Sequence, residues 1–223
     1  MNKQGSHKID YLDYIWNPVK GLCKYNCEYC FMQRYYKRFN LNPEIRFDET
    51  ELNTRFLNIP SKMGVCFNHD LFGEWIPSEW IYRIIKRTEE NPQHIFIFLT
   101  KNPKRYNEFK FPKNCWLGTT VDGTPRTIGN LELLARIEHQ NLKFISFEPL
   151  LAIIYLRSIP TAIYSKFGWF IIGADSNPGA IHPPLIWADM FRKLCIQLGK
   201  PLWIKDNFKF PIKVKEWPYQ KNN

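Results

Sequence analysis

His94-Ile95-Phe96-Ile97-Phe98-Leu99-Thr100 is an apolar run closed by a polar residue at each end. It has the length of a strand and no polar alternation. Such a run must be buried on both faces, as strands of a parallel sheet are. Working outward, comparable segments lie at 16–21, 63–67, 116–121, 143–147, 167–173 and 201–205. Between them the pattern turns helical. Helices are expected at 31–39, 48–57, 77–90, 127–140 and 184–198, with a short one at 102–109. Strands alternating with helices predict an α/β fold with a parallel sheet. Six or seven units are too few for a closed eight-stranded barrel.

In such sheets the chemistry gathers where strands end. The residues just past the predicted strands are polar: Asn68, His69 and Asp70; Thr100 and Lys101; Thr119, Thr120 and Asp122; Ser146 and Glu148; Asp175 and Ser176; Lys205 and Asp206. Each residue type also serves as an ordinary turn or cap residue. Their recurrence at strand ends predicts that most of them line one cavity.

The first strand leads into Cys23-Lys24-Tyr25-Asn26-Cys27-Glu28-Tyr29-Cys30, three thiols at the spacing C-x-x-x-C-x-x-C. Iron–sulfur clusters are held by cysteine thiolates, usually four for a cubane. A triplet without a near fourth partner predicts a cluster with one iron left open to a small molecule. Two alternatives stay open. One is a structural zinc site completed by His69, and zinc needs four ligands. The other is that the thiols are merely buried apolar residues, which is also the expectation for Cys66. The helix after Cys30 offers Arg34, Lys37 and Arg38 for phosphate and Tyr35 and Tyr36 for stacking; a solvated helix face with buried rings is the alternative and is slightly favoured.

The chain has 223 residues and a net charge of +10, a balance that favours a polyanionic partner. Aromatic residues make up 16%, more rings than a core of this size requires. Residues 1–10 are polar and are expected to be disordered or a tag remnant, with Gly5-Ser6-His7 resembling an expression scar. One domain is expected over 11–208, followed by a loosely packed basic tail at 209–223. No run reaches the roughly 18 apolar residues of a membrane span. The cysteines do not form a secreted disulfide framework, so a cytoplasmic location without membrane contact is expected.

The cysteine spacing resembles the signature of radical S-adenosylmethionine enzymes. The resemblance extends to Trp16-Asn17-Pro18-Val19, His69-Asp70-Leu71-Phe72, Leu99-Thr100-Lys101-Asn102-Pro103, Trp116-Leu117-Gly118, Ser146-Phe147-Glu148-Pro149-Leu150-Leu151 and Gly173-Ala174-Asp175-Ser176. Together these are similar to an uncharacterised, phage-associated radical SAM family distantly similar to spore photoproduct lyase. There are departures: Asp175 shortens the family's acid, Phe31 lacks its tyrosine hydroxyl, and Lys205-Asp206-Asn207 replaces Lys-Gln-Trp.

The resemblance implies a partial (β/α)6-type barrel of parallel strands with outer helices. It implies a 4Fe-4S cluster on Cys23, Cys27 and Cys30, with S-adenosyl-L-methionine cleaved to a 5'-deoxyadenosyl radical. An electron donor of flavodoxin or ferredoxin type is implied as a partner. The expected cofactor contacts are Tyr29, Phe31, Thr100, Lys101, Thr120, Ser146, Glu148 and Gly173. The expected catalytic or substrate residues are Cys66, Asn68, His69, Asp70, Asp175 and Lys205. Basic charge and the lyase likeness point to DNA, RNA or a nucleotide as substrate, in modification or repair. A peptide or small metabolite is the alternative substrate, and a non-catalytic metal protein that binds nucleic acid is the alternative class.

Overall fold

The structure is a computed structural model that describes residues 1–5 and 8–218. It is a mixed α/β protein with a mostly parallel central sheet of eight strands. The chain divides into two compact units, residues 1–117 with 138–141, and residues 118–137 with 142 onward.

In the first unit the elements are β1 (Asn2–Lys3), β2 (Tyr14–Trp16), β3 (Val19–Lys20), α1 (Phe31–Arg38), β4 (Arg46–Phe47), α2 (Glu49–Leu52), β5 (Lys62–Val65), α3 (Ser78–Glu89) and β6 (Ile95–Thr100). β2, β5 and β6 are parallel neighbours, with Ile15 opposite Gly64 and Gly64 opposite Ile97. β3 and β4 form a separate antiparallel pair. The apolar run at 94–100 becomes β6, and Phe96, Ile97 and Phe98 are buried. Rings explain why both faces close. Phe96 meets Trp16, Phe56 and His94, while Phe98 meets Phe72 and Phe111. Edge-to-face pairs of this kind contribute roughly 0.5–1.5 kcal/mol each beyond their buried area.

β7 (Cys115–Thr120) begins in the first unit and ends in the second. The second unit adds α4 (Asn130–Ala135), β8 (Lys143–Phe147), α5 (Thr161–Tyr164), β9 (Trp169–Ile172), α6 (Leu185–Leu198) and β10 (Leu202–Ile204). β8, β9 and β10 are parallel. Phe147 and Phe170 stack, and Phe147 packs on Phe191 of α6. Alternation along β8 turns Ser146 to the opposite face. The strand order is β1-β2-β5-β6-β7-β8-β9-β10. The later strands stand where the apolar segments predict them, but the first lies at Tyr14–Trp16, ahead of the expected 16–21, and residues 19–20 pair antiparallel as β3 instead.

Several expectations differ from the structure. Residues 2–3, expected to be disordered, pair antiparallel with β2; residues 6–7 of the scar lie outside the described residues. The tail is not loose. The outer edge of β10 exposes backbone groups that seek partners, and Ile204 N–H donates to Val214 while Glu216 N–H donates to Leu202. Trp217 then stacks on Trp169 at 4.7 Å; tail residues 219–223 lie outside the described ones.

The helix at 48–57 stops at Leu52, because Arg87 takes the carbonyls of Leu52 and Thr54. The segment 102–109 is a 3-10 turn over Pro103–Glu108. The helix at 127–140 shrinks to α4: Thr127 is claimed by Asp122, and Asn141 reaches the carbonyls of Pro112 and Cys115. Among the described residues no helix is long and apolar enough to cross a membrane.

Candidate functional site

The first unit brings three strand-end segments together. The cysteine loop follows β3, His69 and Asp70 lie just past β5, and Thr100 ends β6 with Lys101 after it. Asp70 ties the last two. Its Oδ1 accepts from the Thr100 hydroxyl at 2.6 Å and from Phe72 N–H at 3.1 Å, and its Oδ2 accepts from Lys101 N–H at 2.7 Å. A carboxylate with these donors is a brace between the two strand ends. Asn68 is also occupied, its N–H donating to Oδ1 of buried Asn17.

His69 is a bridge. Its Nδ1 meets the Gly21 carbonyl at 3.2 Å, and its Nε2 lies 3.0 Å from Trp75 Nε1. The indole can only donate, so Nε2 accepts and Nδ1 carries the proton. Both nitrogens of the neutral ring are used, so no lone pair is left for zinc. This corrects both readings of His69, as zinc ligand and as substrate residue. Burial drives its pKa below 6.5, outweighing the Gly21 carbonyl and the Asp70 charge. Burial does the same to His94.

The sign follows from these depressed values. Above pH 6.5 both histidines are neutral in the folded and unfolded chain, and their contribution is complete. Below it the unfolded chain takes up protons that the folded chain resists, so stability falls toward the folded values. Unfolding free energies from urea titrations should hold between about pH 7.5 and 6.5 and fall on further acidification, by at most about 1.4 kcal/mol per pH unit per histidine. His69→Gln should flatten the profile by one group; an unchanged slope would refute the assignment.

The cysteine loop is held from its flanks. Gly21 N–H donates to the Tyr36 hydroxyl at 2.9 Å, and Leu22 N–H donates to Pro43. Tyr36 is therefore a buried anchor, as the buried-ring alternative has it. Gly21 has φ +101, a region suited to glycine. Within the loop Asn26 is left-handed, Cys30 N–H donates to Cys27, and Cys30 is the N-cap of α1 without a side-chain cap bond.

Cys27 is buried, while Cys23 and Cys30 are partly exposed. Burial pushes the Cys23 thiol up to about 11, and the Asp70 charge adds to this. The backbone N–H groups of Tyr25 and Asp70 and the Lys101 charge oppose it. Cys23 therefore stays protonated at neutral pH unless a cation displaces the proton. Lys101 Nζ lies 5.7 Å from the centre of the Tyr29 ring, and Tyr25 meets Trp75 edge-on at 4.9 Å. Phe31 is well exposed at the start of α1. Cys66 is a core thiol pushed up to about 12 by burial, in line with the expectation of a buried apolar residue.

The second unit holds the remaining candidates. Lys205 and Glu148 pair directly, both largely buried. A Cβ on Gly173 would lie 3.0 Å from Glu148 and 3.1 Å from Lys205, so the glycine makes room for the pair. Ser146 Oγ is buried with no hydrogen-bond partner among the described residues. Thr120 is buried, and its carbonyl accepts from Asn130. Asp175 caps a turn, its Oδ1 accepting from Asn177 N–H. Sequence reasoning passed over Trp75, Gly21 and Arg105. Arg105 donates to the carbonyls of Gly73 and Ile76, fixing the loop that carries Trp75. Only Gly21, beside the cysteines, carried a visible signal.

Fold and loop together define an α/β protein that presents a three-cysteine loop where parallel strands end. The chain belongs to the family described as Protein of unknown function (DUF5131), whose profile matches residues 6–216. No curated protein and no solved structure matches it. The family match corrects the resemblance drawn above: no radical S-adenosylmethionine family matches. Among the described residues, moreover, no group of three or more His, Cys, Asp or Glu side chains is placed to hold a metal ion. The cysteine spacing has a local explanation, a turn at 23–26 followed by a helix start at Cys30.

Proposed function

We propose, from the residues of the loop alone, that Cys23, Cys27 and Cys30 carry a 4Fe-4S cluster in an enzyme that cleaves S-adenosyl-L-methionine. The observation that supports this is an all-thiol set on one loop, with two backbone N–H groups directed at the Cys23 sulfur. Amide hydrogen bonds to sulfur are a recognised means of tuning such centres. A single ion needs ligands that meet at one point, which this loop lacks; in a cluster each thiolate binds a different iron. When bound, a cluster with one open iron supplies the electron that converts S-adenosylmethionine to a 5'-deoxyadenosyl radical.

On this reading Lys101 offers its ammonium to the cofactor carboxylate, and the Tyr29 ring packs beside it. Thr100 holds Lys101 in place through Asp70. The roles of Thr120, Ser146, Glu148 and Gly173 toward the same cofactor, and of Lys205 toward substrate, belong to this proposal. So do the partial-barrel arrangement, the cytoplasmic location and a flavodoxin- or ferredoxin-type electron donor. The substrate is a nucleic acid or nucleotide, consistent with the net charge of +10. The second reading is a non-catalytic metal protein that binds nucleic acid, favoured by the basic exposed residues of α1.

Anaerobic reconstitution with iron and sulfide should give brown protein with about four irons per chain. Dithionite and S-adenosylmethionine should then release 5'-deoxyadenosine. The Cys23→Ser/Cys27→Ser/Cys30→Ser variant should stay colourless. Equal iron in that variant would refute the cluster; brown protein that releases no 5'-deoxyadenosine would favour the second reading.

A further inference from the structure

Along α1 and its C-cap, Phe31, Tyr35 and Phe39 recur every four residues, and all three are exposed, at 57%, 47% and 53%. Residues four apart on a helix share one stripe, so three rings form a row on the surface. Tyr35 and Phe39 lie 4.8 Å apart at 53°. A second stripe runs beside it through exposed Arg34 and Arg38, with exposed Lys37 adjacent. The Arg38 guanidinium lies 5.4 Å from the centre of the Phe39 ring. Residues 31–43 contain these three cations and no acidic residue. The opposite side of the helix is committed to the fold through Met32 and Tyr36, both buried.

Large rings left in water in a row mark a surface that something covers. The flanking charge states which kind of partner. We infer that this face of α1 docks single-stranded nucleic acid: bases stack on Phe31, Tyr35 and Phe39, and phosphates pair with Arg34, Lys37 and Arg38. Ring faces beside cations are the combination by which single strands are held without base readout. A duplex keeps its base faces inside the stack and has no use for exposed rings. The surface begins at the residue after Cys30, so a strand held there lies next to the cysteine loop.

This deepens the nucleic-acid reading above by assigning the surface, and it is tested without iron. The full-length chain is titrated into a fluorescent single strand of about 12 nucleotides, and anisotropy is followed at several salt concentrations. Arg34→Glu/Lys37→Glu/Arg38→Glu should weaken binding at least about tenfold. It should also reduce the slope of log affinity against log salt by about 2, at roughly 0.7 per phosphate contact on a single strand. Tyr35→Ala should weaken binding about fivefold or more with the slope unchanged, and Tyr35→Phe should restore it. These residues are exposed, so thermal midpoints should match the parent and confirm folding.

Parent-like affinity in the triple variant would overturn the inference, as would a parent chain that ignores the oligonucleotide. Residue-dependent binding to phosphatidylserine vesicles instead of the strand would assign the face to a membrane. Self-association abolished by Tyr35→Ala, without strand binding, would assign it to a second copy. Either result overturns the proposal. Colourless protein that binds the strand would sink the cluster and leave this surface standing; brown protein that ignores the strand would do the reverse.

Discussion

Asp70→Ala should lower the unfolding free energy by roughly 3–5 kcal/mol, because three donors lose their acceptor at once. Asp70 is 8% exposed, and water has little access to replace it. The Thr100 hydroxyl and the N–H groups of Phe72 and Lys101 are then left facing an alanine. For a chain of this size the thermal midpoint should fall by roughly 6–20 °C. Asp70→Asn separates bracing from chemistry. If its amide oxygen occupies the Oδ1 position, Phe72 and Thr100 keep their acceptor, and only the Lys101 contact becomes donor against donor. Its loss should be well under half that of alanine in a urea titration. If Asn proved as stable as Asp while any activity vanished, the brace assignment would be wrong.

Gly21→Ala is expected to be the second severe change. An added Cβ would lie 2.3 Å from the Glu44 oxygen and 2.7 Å from the Ile45 Cα, both backbone atoms that cannot rotate away. The φ of +101 adds strain for any L residue. A cost of roughly 1–3 kcal/mol for the backbone and a similar amount for the clash gives about 2–6 kcal/mol. The damage should also reach the cysteine loop, since displacing Gly21 breaks its bonds to Tyr36 and His69. Gly179→Ala is the control. Its φ is +78 but nothing lies within 4 Å of the added carbon, so only the backbone term remains. Equal midpoints for the two variants would show that contact with residues 44–45 is unimportant.

How far the sequence could be read differs between strands, helices and site. The run at 94–100 has one physical solution, burial on both faces, and the other parallel strands were visible for the same reason. Helix lengths were less legible. Nothing local says that Arg87 will take the Leu52 carbonyl or that Asp122 will claim Thr127; these are contacts made across the fold. At the site, residue type alone could not separate reagent from brace. His69 and Asp70 have the chemistry of catalysts, but their hydrogen bonds place them as ties between loops. Tyr35 and Tyr36 are adjacent and identical in type, and only the direction of the helix decides that one faces water and the other holds Gly21. The cysteine spacing was the most eye-catching signal; it suggested a superfamily that the family match does not support, and it leaves the chemistry of the three thiols to the reconstitution experiment.

The loop from 17 to 30 takes its shape from an asparagine, two tyrosine- and histidine-held peptide groups and a carboxylate at the neighbouring strand ends. None of its own sulfurs is needed for that scaffold. Chelators should therefore leave the stability of the fold unchanged, the opposite of a zinc finger's collapse.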